Sequence, residues 1–143
     1  MRTDGARRPT QHRSRPSEWR RAVTRLPEEA PAAGRARDFA TSALRAWEVP
    51  PDTREDIVLA TSELVTNAVE HGRVVVTVVL RQNDDRVVLR VWDEDTHVPV
   101  PRPVGQDSVR GNGLVIVDAL SESWGYETGA EGKWVWAEFA LPR

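Results

Sequence analysis

Glu63, Asn67 and His71 place a carboxylate, a carboxamide and an imidazole at intervals of four residues in the run Glu63-Leu-Val-Thr-Asn67-Ala-Val-Glu-His71-Gly72. On an α-helix, residues four apart rise along one face. Ile57, Ala60, Leu64 and Ala68 form a neighbouring apolar stripe, widened by Val58, Val65 and Val69. Such a helix offers one side to a core and a polar edge to a ligand. An Asn beside a Glu can hold Mg²⁺ through a hard carbonyl oxygen that carries no charge to repel phosphate. The Glu can take a proton from water or a hydroxyl. The same spacing also describes a solvated polar face on a surface helix.

Two further places could carry chemistry. The apolar run Val87-Val-Leu-Arg-Val-Trp-Asp93 delivers a carboxylate to the end of a strand. There it can accept a hydrogen bond from an exocyclic amine such as that of adenine, or simply terminate the strand. Gly111-Asn-Gly113-Leu114 opens a short helix. Its glycines would let backbone approach a ligand and let the first-turn N–H groups face phosphate. The run is neither a P-loop, because no Gly-Lys-Ser/Thr follows at the required gap, nor a dinucleotide fingerprint, which needs a strand directly before it. Arg110, just ahead of it, either reaches a terminal phosphate or solvates the loop.

The elements that must position these residues can be read from periodicity. Trp19 to Leu26 reads as a short strand closed by Pro27. A helix follows from Pro31 to about Trp47, with Ala36, Phe39, Ala40, Ala43 and Leu44 on one face. After Glu48-Val-Pro-Pro51, Asp52 reads as an N-cap with Glu55 completing a capping box, and this second helix runs to about His71, where Gly72 can end it. The β-branched run 73–81 and Arg86–Asp93 make a hairpin around Asn83-Asp-Asp85. Residues 94–112 have three prolines, two glycines and no periodicity, the composition of a lid or binding segment. A helix from Gly113 to about Leu120 and strands near 122–128 and 133–141 complete the chain. This order predicts an α/β two-layer sandwich, with a mixed, mostly antiparallel sheet and helices on one face. Trp124, Trp134 and Trp136 are expected chiefly in the core, with an interface as the other reading.

The 143 residues suit one domain. Without Cys there is no disulfide framework, thiolate metal site or cysteine nucleophile. No apolar run reaches membrane-spanning length and no signal-peptide pattern opens the chain, so a cytoplasmic protein with no membrane partner is expected. Residues 1–17 hold five Arg and one Asp, a net +4, which leaves −6 for residues 18–143 of the total −2. That tail, without apolar anchors, is expected to be a disordered leader. The acidic body argues against direct nucleic-acid binding.

In this order and spacing, Glu63-Leu-Val-Thr-Asn67-Ala, Val91-Trp-Asp93 and Arg110-Gly-Asn-Gly113-Leu-Val-Ile-Val resemble the ATP-binding domain shared by histidine kinases, type II topoisomerases, Hsp90 and anti-sigma-factor serine kinases. Ala119-Leu-Ser-Glu-Ser-Trp-Gly125 and Gly132-Lys-Trp-Val-Trp136 resemble the small anti-sigma branch common in actinobacteria. The resemblance spans roughly residues 19–141 and implies the Bergerat ATP-binding fold over 18–143. It implies Asn67 as the Mg²⁺ ligand, Glu63 as the general base with Arg110 assisting, and Asp93 as the reader of the adenine amine. Gly111, Gly113 and Leu114 would lie at the phosphates, and His71 either near the pocket or merely at a helix end. ATP and Mg²⁺ are the implied cofactors. The implied partner is an anti-sigma-factor antagonist, phosphorylated on Ser or Thr, with a sigma factor as the alternative or additional partner. The implied assembly is a homodimer, with a monomer as the other reading. The alternative is a non-catalytic, nucleotide-tuned module that sequesters a sigma factor or another regulator.

Some positions depart from the family pattern. Asp93-Glu-Asp-Thr-His97 lacks the glycines often found after the Asp. Where the small branch usually has Gly-Lys-Thr, this chain has Gly132-Lys133-Trp134. A Trp cannot supply the hydroxyl and could crowd the base pocket.

Overall fold

The computed structural model describes residues 18–27, 31–71, 75–94 and 112–142. The basic tail and residues 95–111 of the expected lid lie outside the described residues. The order is β1 (Arg20–Leu26), α1 (Ala32–Ala46), α2 (Pro51–His71), β2 (Val76–Gln82), β3 (Arg86–Asp93), α3 (Asn112–Leu120), β4 (Ser123–Thr128) and β5 (Lys133–Ala140).

The five strands form one sheet in the order β1-β2-β3-β5-β4, and every neighbouring pair is antiparallel. The expected two-layer sandwich is present, without a parallel pairing among the described residues. The connections explain this. Two helices between β1 and β2 return the chain to the end where it left the sheet, so β2 must run opposite to β1. Between β3 and β4 the chain passes one strand position by way of α3, and the β4–β5 hairpin fills that gap with β5. Asn83 closes the β2–β3 hairpin, its Oδ1 accepting from the N–H groups of Asp85 and Arg86.

The core lies between the helices and one sheet face. Ala32, Ala36, Ala40 and Leu44 are the buried ridge of α1, and the three alanines bring it close to α2. From α2 come Ile57, Ala60, Leu64, Val65 and Ala68, and the sheet answers with Val78, Leu80, Val87, Leu89, Val91, Val135, Ala137 and Phe139. Every second residue of β3 and β5 is buried, the period of a strand with one covered face.

Two expectations need correction. Helix α2 starts at Pro51, not after an Asp52 cap: Arg54 N–H donates to the Pro50 carbonyl at 2.8 Å, which places Asp52 inside the first turn. Proline is suited to that first position because its missing N–H has no intrahelical partner there. Asp52 then acts on the helix dipole rather than as a cap. The tryptophans also divide by strand parity. Trp124 packs against the core and donates its indole N–H to Asp118 at 2.8 Å. Trp134 and Trp136 alternate with buried Val135 and Ala137, so they lie on the sheet face away from the helices.

Helix α1 ends without glycine. Glu48 takes a left-handed conformation (φ 60°), and Val49 N–H donates to the Leu44 carbonyl at 2.9 Å while both apolar side chains are buried. This closing contact of a helix C-terminus offsets the steric cost of Glu at a position that favours Gly.

Candidate functional site

Glu63 and Asn67 share one edge of α2, one turn apart, and both are half-buried. The start of α3 packs against them at Gly113. A Cβ at Gly113 would stand 3.2 Å from Glu63 Oε1 and 3.4 Å from both amide atoms of Asn67. The absent side chain leaves backbone directly facing a carboxylate and a carboxamide. Residues 46 positions apart in the chain, Asn67 and Gly113, are thereby brought into one site. The first-turn N–H groups of α3 have no intrahelical acceptors and favour an anion. Burial pushes the Glu63 carboxyl above its usual value of 4.5, the direction that makes a carboxylate a better proton acceptor.

Asn67 fits a Mg²⁺ ligand in its donor chemistry and its place beside a phosphate-suited helix start. Among the described residues no group of three His, Asp or Glu is positioned to hold a metal. An ion here would take its other oxygens from phosphate and water, the usual habit of Mg²⁺.

Asp93 ends β3 on the helix-facing side, buried to 4% exposure. Its register partner is Lys133, the first residue of β5. Lys133 Nζ lies 3.3 Å from Asp93 Oδ2, and both side chains are buried. The pair sits at the end of the sheet next to the start of β2, two residues beyond the Val78–Val91 pair. Trp134 does not crowd this place. Parity turns it to the opposite face, where it meets Trp92 edge-on at 5.3 Å between ring centroids. The residue facing the carboxylate is Lys133, which sequence reasoning passed over. The signal available was strand parity: a residue paired across from Asp93 must share its face.

Gly132 makes that junction possible. Its φ is +156°, and a Cβ there would come within 2.6 Å of the Asp93 carbonyl oxygen and 2.7 Å of the Trp92 ring. Gly132→Ala should therefore destabilise the protein by about 1–3 kcal/mol, seen as a lower urea midpoint. An unchanged midpoint would show that the β3 end can move aside without cost.

The remaining candidates fall out unevenly. Leu114 is buried in the core, so what it offers a ligand is backbone rather than side chain. His71 is the last residue of α2. Arg110 and Gly111 lie outside the described residues.

The structure brings a Glu–Asn pair on one helix against a glycine at the start of a facing helix, on an antiparallel α/β sandwich. The chain belongs to the histidine kinase-like ATPase domain family, whose profile matches residues 26–139. No match was found among curated proteins. Among solved structures, the chain is similar to the RsbU and RsbW domains of Rv1364c from Mycobacterium tuberculosis. That likeness has a TM-score of 0.68 at 24% identity and covers 87% of this chain and 33% of the other, so this chain spans about a third of that one's length.

Proposed function

We propose that this chain is an anti-sigma-factor-like regulator that binds ATP with Mg²⁺ and phosphorylates a Ser or Thr of a small antagonist protein. The observation that carries the reading is the approach of Glu63 and Asn67 to the Gly113 backbone at the start of α3. In this reading the three serve one ligand as a proton acceptor, a hard oxygen ligand and a set of backbone N–H donors. The similarity to a solved chain with an RsbW domain supports the regulatory class.

In this reading the acceptor hydroxyl gives its proton to Glu63 Oε1 as its oxygen bonds to the γ-phosphorus. The bond from that phosphorus to the β–γ bridging oxygen breaks and ADP leaves. Mg²⁺ bound through Asn67 would neutralise charge on the phosphate oxygens. Glu63 mainly orients the hydroxyl and takes its proton. The α3 N-terminus supplies fixed dipoles at the phosphates. Asp93 accepts from the adenine amine, and Arg110 and Gly111 are assigned to the terminal phosphate on sequence grounds. Among the described residues no helix is long and apolar enough to cross a membrane.

One observation favours the second reading, a nucleotide-tuned module without transfer. The Asp93 carboxylate already has an ammonium partner in Lys133, which weakens it as an acceptor for an adenine amine. Two measurements separate the readings. Calorimetric titration with ATP and Mg²⁺ should give heat that Asn67→Ala removes; no heat from the parent protein defeats both readings. Labelled phosphate should then appear on the cognate antagonist. A tight complex with no label would leave the module.

A further inference from the structure

Among the described residues, the helices cover one face of the sheet, and the other face is left to side chains. On β1 and β2 it carries Arg21, Val23, Arg25 and Arg81; β3 and β5 add Arg90 and Trp136. Arg21 stands directly opposite Arg81 in the antiparallel register. Like charges placed so are destabilising. The half-buried Arg90 guanidinium is held below its usual range, first by burial and then by Arg81 and Arg21, with Glu127 pulling the other way. Positive charge is therefore crowded at one place on a chain whose body is net acidic.

Among the described residues, the ion pairs of this face go to Arg86 and Arg90 rather than to Arg21, Arg25 or Arg81. Glu127 lies 3.8 Å from Arg90, and Glu138 and Glu122 both go to Arg86, at 2.9 and 3.4 Å. The cross-strand neighbours of Arg21, Arg25 and Arg81 are one another, Thr77 and Val88. Apolar surface lies between them: Val23 is 44% exposed, and Trp136 follows Arg90 across the sheet.

We propose that this open face docks an acidic segment of a partner protein, with carboxylates on Arg21, Arg25 and Arg81 and apolar side chains over Val23 and Trp136. The inference is independent of phosphoryl transfer and of the ATP site, which lies among the helices on the other side of the sheet. Charge selects the occupant. A second copy offers this face carboxylates already paired with Arg86 and Arg90. Residues 1–17 of this chain are net +4 and would be repelled. Single-stranded nucleic acid needs free ring faces to stack on, whereas Arg81 caps Trp19 at 4.4 Å and Arg90 caps Trp134 at 4.5 Å. An acidic segment relieves the Arg21–Arg81 repulsion, so its binding should weaken as salt rises.

The test uses the full chain and a fluorescein-labelled synthetic peptide of Glu, Asp and Leu long enough to span the sheet, with a length-matched oligo(dT) as comparator. Anisotropy should show peptide binding that falls with salt and shifts the indole N–H resonances of Trp19 and Trp136. Paired reversal, Arg21→Glu with Arg81→Glu, should weaken binding by about tenfold or more, equal to about 1.4 kcal/mol. The milder Arg21→Gln with Arg81→Gln should act in the same direction and guards against a folding defect. Reversal of exposed Arg35 and Arg45 on α1 should leave binding unchanged. Equal loss from the α1 reversals, tighter binding of oligo(dT), no peptide binding at low salt, or an Arg21-dependent dimer in sedimentation would each overturn the proposal.

Discussion

Glu63→Gln is expected to lower phosphoryl transfer to the antagonist by about 10²–10⁴-fold and to leave ATP binding largely intact. The carboxamide keeps the shape of the side chain against Gly113 but cannot take the hydroxyl proton. The same substitution should raise the stability of the nucleotide-free protein at neutral pH. Burial lifts the Glu63 carboxyl above 4.5, so the folded state binds that proton more tightly than the unfolded chain. The resulting stabilisation is whole below 4.5 and is lost as pH rises from there through the folded-state value. Above that value the ionised group costs stability, a cost that Gln lacks. Thermal melts should show the Gln variant higher at pH 7, with the gain gone at pH 4. A variant that labels the antagonist at the parent rate would remove Glu63 from the proton-transfer role. One that melts lower at pH 7 would show that the carboxylate is stabilised in place by something other than solvent.

The parts of this molecule legible from sequence are those with a strong local period. Strand β3 is bounded as expected because apolar alternation and the Asn83 turn mark both its limits. Helix α2 carries its apolar stripe at helical spacing and ends at His71 as expected, although its first turn uses Pro51 in place of the Asp52–Glu55 capping box. Propensity alone cannot choose between adjacent start positions when both Pro and Asp suit a first turn. The tryptophans were harder because size argues for burial, while position on a strand decides which face is reached. With only one face of the sheet covered, parity sends Trp134 outward and Lys133 inward. Proximity of Glu63 and Asn67 to Gly113 depends on how α3 lies against α2, a tertiary fact that motif order suggests but spacing does not contain. Lys133 went unseen for a related reason: a lysine at a strand start is ordinarily solvated, and only its pairing across from Asp93 reveals a buried charge.

That buried pair carries the largest expected stability effect. Asp93→Ala removes the carboxylate 3.3 Å from the Lys133 ammonium and leaves a buried cation, with an expected loss of about 3–5 kcal/mol. Asp93→Asn should cost less, because its amide oxygen can still accept from Nζ. Replacing both members together, Asp93→Leu with Lys133→Met, removes both desolvated charges and should restore stability to near the parent value, since apolar substitutes for buried ion pairs are often neutral or better. Nucleotide binding must then part from stability. The double variant keeps the fold but offers no acceptor to the adenine amine, so it should titrate without heat in ATP and Mg²⁺ while its urea midpoint stays near that of the parent. The comparison separates two roles that Asp93→Ala alone would confound. If the double variant folds and still binds ATP with the parent affinity, Asp93 does not read the base, and the pair serves only to close the end of the sheet between β3 and β5.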